Sequence, residues 1–240
     1  MLGLFISGIK KQTGKTIVAC GLSATMQSLS YPTSYYKPIQ TGALKTPSGL
    51  QSKDVMAVKK FDSTVNASCA YLMEGEECPL VSSYESGIKK IEIQGIYNEF
   101  VANIQMTDCH IVEGSNSISS PINEGITEVD IAKSLPIPLI LVVNPKKSTI
   151  DEVISGINYV YSSRKDISGI LLNEYDENSI SMEEKYFPQL ISRYTNAKVV
   201  GTLPHYDNFN NLTPGTLIED VLNRVNLESL FGIKIAKLER

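Results

Sequence analysis

The chain has 240 residues, 42% of them apolar and 20% charged, enough to bury one large core. Its 26 acidic and 22 basic side chains leave a net charge of −4, which excludes a general attraction to nucleic acid or to an anionic membrane. No apolar run reaches membrane-spanning length, and because Met1 leads almost at once into a strand, the expectation is that no cleavable leader precedes the fold. Cys20, Cys69, Cys78 and Cys109 contain no CxxC pair; the expectation is a cytoplasmic protein with reduced thiols, although Cys69 and Cys78 could approach each other in a loop.

The chain opens with an apolar strand, Leu2–Ser7, that runs into a turn rich in lysine and ending Gly14-Lys15-Thr16, within FISGIKKQTGKT. Closely spaced backbone N–H groups in such a turn, together with the start of the helix that follows, make a concave anion site. Lys15 is placed to reach β/γ-phosphates and the Thr16 hydroxyl to ligate Mg²⁺. Gly8 and Gly14 enclose five residues where the common phosphate loop has four. The expected nucleotide-contacting residues are Gly8, Lys11, Gln12, Thr13, Gly14, Lys15, Thr16 and Ile17.

Downstream, helical spacing over Lys15–Gln27, Gln51–Lys60, Ile91–Ile104, Ile150–Ser162, Met182–Tyr194 and Thr216–Asn226 alternates with short β-branched or apolar runs. Those runs are Ser34–Lys37, Cys109–Glu113, Leu139–Asn144, Ile167–Asn173 and Lys198–Thr202. The alternation predicts one α/β domain over residues 1–240, an open and mostly parallel sheet with helices on both faces. Such a sheet gathers the loops at its strand ends into one crevice.

The strand ends then supply the chemistry. In YYKPIQTG, Lys37 precedes a rigid turn; it is either a solvated surface lysine or a cation that neutralises a phosphoryl or carboxylate-like intermediate, with Thr41 orienting an oxygen-bearing substrate. Asp54 starts the DVMAVKK helix and Glu113 ends CHIVEGS. Each is a helix or turn cap, or the two converge near Thr16 and hold a hard metal through oxygen. Asn173, closing GILLNEY, either stabilises a turn or reads a base edge. His110 and His205 read as a packed core histidine and a surface hydrogen-bonding one.

FISGIKKQTGKT, YYKPIQTG, the Asp54 helix, HIVEGS, PLILVVNPKKSTIDEV, GILLNEY and VVGTLPHYD occur in an order that resembles the dethiobiotin synthetase family, over roughly residues 2–228. The resemblance implies a fold like that of the P-loop NTPases and an ATP-dependent closure of a cyclic urea from CO₂ and 7,8-diaminononanoate, by way of a carbamate and a carbamic-phosphoric mixed anhydride. It implies that Lys15 stabilises the transferring phosphate, that Thr16, Asp54 and Glu113 arrange Mg²⁺, and that Lys37 stabilises the carbamate. It further implies adenine recognition by Asn173 with the segment around Pro204, and a homodimer that encloses the diamino acid. Ser148 and Thr149, at a helix start, are candidates for the distal carboxylate or simple caps; Tyr186 is a candidate from the partner subunit or a packing residue.

Two segments depart from the family. Ile9-Lys10-Lys11 stands where a Thr-Asp-Thr run is usual, and VEGSNS where VEGAGG is usual. Lys10, five positions before Lys15, also resembles the extra lysine of dimeric partitioning and cell-division-site ATPases. A switch ATPase, a related ATP-dependent amidase or ligase, and a nucleotide-binding homologue without catalysis are therefore the alternatives. The C-terminal LFGIKIAKLER is too short to favour recruitment to a membrane as a basic amphipathic helix.

Overall fold

The computed structural model describes residues 1–209 and 211–234. In chain order the elements are β1 (Leu2–Gly8), α1 (Lys15–Ser28), β2 (Thr33–Gln40), β3 (Leu44–Thr46), β4 (Gly49–Gln51), α2 (Lys53–Phe61), β5 (Asn66–Leu72), α3 (Pro79–Glu85), α4 (Ile93–Ile104) and β6 (Cys109–Glu113). They continue with β7 (Pro121–Asn123), β8 (Ile126–Thr127), α5 (Glu128–Ser134), β9 (Leu139–Val143), α6 (Ile150–Ser162), β10 (Ile167–Asn173), α7 (Met182–Tyr194), β11 (Val199–Leu203), α8 (Pro214–Arg224) and α9 (Leu227–Phe231).

Seven strands form one sheet in the order β11-β10-β9-β1-β6-β2-β5, and every pairing in it is parallel. Its two faces are read off the strand alternation. On β1, Leu4 and Ile6 join the cluster under α1 and α8, while Phe5 points into the opposite one. On β9, Ile140 and Val142 follow the first set and Leu139, Leu141 and Val143 the second. Helices therefore cover both faces, and no described helix is long and apolar enough to cross a membrane.

The chain winds outward from β1 in two directions, through β6, β2 and β5 on one side and β9, β10 and β11 on the other. This reversal opens a crevice at the carboxyl end of β1. Expected and observed bounds coincide for β6, α6, β10 and α7. The β2 strand runs to Gln40, past Lys37, because its ladder with β5 continues to Gln40↔Leu72. Its last partner on β6 pairs at Tyr36↔Val112, so Pro38 costs no bond on that side. Helix α2 starts at Lys53, not Gln51, because Gln51 pairs in the β3–β4 ribbon and Ser52 caps the helix by accepting from Val55 N–H. Helix α8 starts earlier than Thr216, at Pro214, with Thr213 as its cap. Of the C-terminal LFGIKIAKLER run, residues 235–240 lie outside the described residues. All four cysteines are free thiols.

Candidate active site

The loop after β1 has the backbone of an anion cradle. Gln12 and Gly14 both adopt left-handed φ, 57° and 92°, which turns the chain sharply before α1. Gly14 is the N-cap of α1 and supplies no side-chain bond, which leaves the first-turn N–H groups of the helix for an anion. A Cβ on Gly14 would run into the Asn173 side chain, and one on Gly8 into the Thr13 hydroxyl. Gly14 requires glycine for its backbone conformation as well as for space, whereas at Gly8 the clash is with the end of a side chain.

A cleft of about 440 Å³ opens above this loop. Lys11, Gln12, Gly14, Lys15 and Thr16 line it from the loop, Lys37 and Thr41 from β2 and the turn after it, Asp54 from α2, and Glu113 from β6. Four separate segments of chain thus bring most of the sequence-derived candidates to one place. Lys147 and Glu174 close the far end with an ion pair at 3.5 Å.

Lys37 is the centre of the floor. Its Nζ donates to Glu113 Oε1 at 2.8 Å and to the Gly114 carbonyl at 2.7 Å, and lies 2.7 Å from Asp54 Oδ2. Glu113 also accepts from the Thr16 hydroxyl at 2.9 Å and the Tyr35 hydroxyl at 2.8 Å. Burial would lower the Lys37 pKa, but the two carboxylates outweigh it and hold the ammonium above its ordinary value. Burial raises Glu113 against the opposing charge of Lys37. For Asp54 burial pushes upward too, yet Lys37 wins and the carboxyl falls below its usual value. Lys15 is buried, and desolvation followed by repulsion from Lys37 brings it down; its Nζ donates to the Asn116 carbonyl at 2.6 Å.

The donor set of Thr16, Asp54 and Glu113 is all oxygen, as a hard divalent cation requires. Among the described residues no group of three His, Cys, Asp or Glu side chains that could hold a metal is found, so a cation here would need the Thr16 hydroxyl and ligands from outside the protein.

The remaining candidates divide. Asn173 Nδ2 donates to the Thr13 carbonyl at 3.1 Å, while its Oδ1, buried, has no partner among the described residues. Pro204 directly follows β11, beside His205, whose Nδ1 lies 3.2 Å from Glu174 Oε2. Ile17 packs with the core under α1. Ser148 and Thr149 line a separate cavity of about 540 Å³ beside Lys10 and Glu152. There Thr149 caps α6 in a reciprocal box with Glu152, and the buried Ser148 hydroxyl has no partner among the described residues. Tyr186 is half exposed on α7, outside both cavities. His110 is buried, 2.9 Å from the Ser34 hydroxyl and edge-on to Phe100.

Lys10 lines the second cavity and not the cleft, with its Nζ 2.9 Å from both Glu152 oxygens and 3.0 Å from the Lys147 carbonyl. Sequence reading passed over three further residues. Gln40 Oε1 accepts from the Ser52 hydroxyl and the Asp54 N–H, which ties the start of α2 to the end of β2. The Asn116 side chain bonds the Glu77 carbonyl and the Thr41 hydroxyl. Glu128, buried in the first turn of α5, accepts from Ser7 and Ser115. Gln40 and Asn116 each lie in a segment the sequence singles out, YYKPIQTG and VEGSNS; Glu128 lies in none.

The family described as "AAA domain" matches residues 2–213. The ATP-dependent dethiobiotin synthetase of Bacillus subtilis (strain 168) is 24% identical over 232 residues, covering 97% of this chain and 98% of the relative. Among solved structures, the MinC:MinD cell division protein complex of Aquifex aeolicus superposes with a TM-score of 0.60 at 16% identity, covering 100% of this chain and 99% of that one. A ParA family ATPase from Chlorobium tepidum TLS gives 0.58 at 13% identity, covering 92% and 91%. These two share the fold, an α/β sheet of the P-loop NTPase type.

Proposed function

The chain belongs to the AAA domain family, as a dethiobiotin-synthetase-like member, and we propose that it is an ATP-dependent cyclo-ligase that closes 7,8-diaminononanoate with CO₂ to dethiobiotin, releasing ADP and phosphate. The observation that carries this reading is the pair of buried lysines on one cleft floor, Lys15 beside the phosphate loop and Lys37 between Asp54 and Glu113. Two cations with different neighbours suit a reaction that binds two different anions, a polyphosphate and a carbamate.

In this reading one substrate amine takes up CO₂ as a carbamate, whose charge Lys37 meets. The γ-phosphoryl group passes to the carbamate oxygen while Lys15 and the N–H groups at the start of α1 hold the phosphates. The second amine then attacks the activated carbonyl, the C–O bond to phosphate breaks, and the ring closes. The substrate supplies both nucleophiles, so the protein contributes positioning and charge and needs no side-chain nucleophile. Thr16, Asp54 and Glu113 would hold Mg²⁺, which when bound offsets phosphate charge. Asn173 Oδ1, a buried acceptor with no partner among the described residues, suits the exocyclic amine of adenine. The same reading takes residues 1–240 as one synthetase domain and two copies as the working unit. Ser148, Thr149 and Tyr186, outside the cleft of their own chain, would then serve the partner's substrate.

The placement of Lys10 favours the synthetase over a switch ATPase, because its ammonium pairs with Glu152 and the Lys147 carbonyl of its own chain. The deciding measurement is phosphate release with Mg-ATP and bicarbonate, with and without 7,8-diaminononanoate, with the organic product identified by mass. Release that depends on the diamino acid and yields dethiobiotin is expected; ATP binding with no such product overturns the proposal.

A further inference from the structure

Glu128 lies 1% exposed at the start of α5, and its carboxylate takes three donors. Oε2 accepts from Ser115 N–H at 2.6 Å and from the Ser115 hydroxyl at 3.0 Å, and Oε1 accepts from the Ser7 hydroxyl on β1. Capping does not explain it, because Asp130 is the residue that closes the box with Thr127 at this helix start. The position of Ser115 does. The carbonyl before it, Gly114, receives Lys37 Nζ at 2.7 Å, and its successor, Asn116, offers the carbonyl that receives Lys15 Nζ at 2.6 Å.

One residue thus separates the two carbonyls that hold the two buried lysines, and both donors of that residue are held by Glu128. Gly114 itself has no room for a Cβ against the Glu128 carboxylate, so loop and carboxylate are in close contact. The Ser7 bond anchors the arrangement to β1, the strand that leads into the phosphate loop. We propose that Glu128 is a positioning residue, which fixes the Gly114–Asn116 loop and through its carbonyls sets where Lys37 and Lys15 reach. The inference rests on the working roles given above to those two lysines. It also accounts for the serine and asparagine in VEGSNS: Ser115 supplies the hydroxyl that Glu128 holds, and Asn116 the side chain that ties the loop to Thr41 and Glu77.

The test compares Glu128→Gln with Glu128→Ala. Glutamine keeps one oxygen to accept both Ser115 bonds, and its amide can donate to Ser7, whose hydroxyl rotates; alanine removes all three bonds. Rates are expressed per nucleotide site titrated with a fluorescent ATP analogue, so misfolded protein drops out. With Mg-ATP, bicarbonate and 7,8-diaminononanoate, E128A is expected to lose about 100-fold in kcat while E128Q stays within about threefold and the KM for ATP moves by less than about threefold in both. Amide hydrogen exchange over residues 114–117 is expected to accelerate in E128A and not in E128Q. Full turnover in E128A, or E128Q as impaired as E128A, overturns the proposal. If E128A does not fold, Ser7→Ala takes its place, with a loss of about tenfold expected and full turnover overturning the idea. If the wild type shows no diamino-acid-dependent release, the synthetase reading fails, and the exchange pattern over 114–117 alone decides the role of Glu128: unchanged exchange in E128A overturns it.

Discussion

Lys37 and Glu113 form an ion pair at 2.8 Å in which both side chains are almost wholly sealed from water. Two charges so placed depend on each other, because removing one leaves the other buried without compensation. Lys37→Met strands both Glu113 and Asp54 and is expected to cost about 3–5 kcal/mol in urea unfolding. Glu113→Gln is expected to cost less, because Asp54 still faces the ammonium at 2.7 Å. The double variant should be about 1–2 kcal/mol more stable than the sum of the singles. Strict additivity would mean that the pair is not coupled.

The same lysine carries the chemical prediction. Lys37→Met should retain ATP binding, since the phosphate loop and Lys15 are untouched, yet lose about 100- to 1,000-fold in diamino-acid-dependent phosphate release. Lys15→Met should weaken ATP binding itself. Titration with a fluorescent ATP analogue beside single-turnover phosphate release separates the two effects.

Gly14 has φ 92° and no space for a Cβ against Asn173. Gly14→Ala is therefore expected to distort the phosphate loop and abolish measurable ATP binding, while the melting temperature changes by only a few degrees, since the strain is confined to one turn. Asn173→Ala should bind ATP more weakly and discriminate less between ATP and GTP, whose base presents a carbonyl where adenine presents the amine. Equal discrimination in this variant and the wild type would remove Asn173 from base recognition.

Lys10 and Glu152 make an ion pair near the surface, both partly exposed. Such pairs contribute about 0–1 kcal/mol. Lys10→Ala should leave both stability and dethiobiotin formation close to wild type. A collapse of ATP turnover in this variant would instead favour a switch ATPase in which Lys10 reaches a second nucleotide.

His110 gives a pH dependence. Burial first, and then the positive amino terminus, hold its imidazole below the ordinary value. Between the folded and the ordinary value the unfolded chain binds more protons, so stability rises with pH through that window and is lost as pH falls below about 6.5. The urea midpoint should drop between about pH 7.5 and about pH 5, and His110→Phe should flatten that slope. An unchanged slope would assign the dependence to other groups.

Much of the fold is legible in local pattern. The continuous apolar runs of β6, β9 and β10 and the capped, periodic segments of α6 and α7 carry their own signals, and their bounds follow from caps and side-chain periodicity. What escaped was short or polar. The β5 strand, NASCAYL, is an edge strand of partly buried residues with no continuous apolar run, and α5 and α3 have seven residues each. Lys37 reads as a strand end because Pro38 follows it, whereas the ladder to β5 carries the strand three residues further.

The candidate site divides along the same line. Residue types and their motifs alone indicate a phosphate loop, two cationic positions and two carboxylates, because each chemistry needs a particular side chain at a particular kind of turn. Convergence was decided by the tertiary structure. Lys37 and Glu113 are 76 positions apart and meet because β6 inserts between β1 and β2, an order that no local periodicity encodes. Ser7 and Glu128 are 121 positions apart, and a single glutamate in the first turn of a short helix looks like a residue that favours the helix dipole. Only the packed sheet turns it inward, under the loop that holds both lysines. The same packing commits Lys10 to Glu152 and sends Ser148 and Thr149 to a second cavity, since the direction of a side chain depends on which elements its own element packs against.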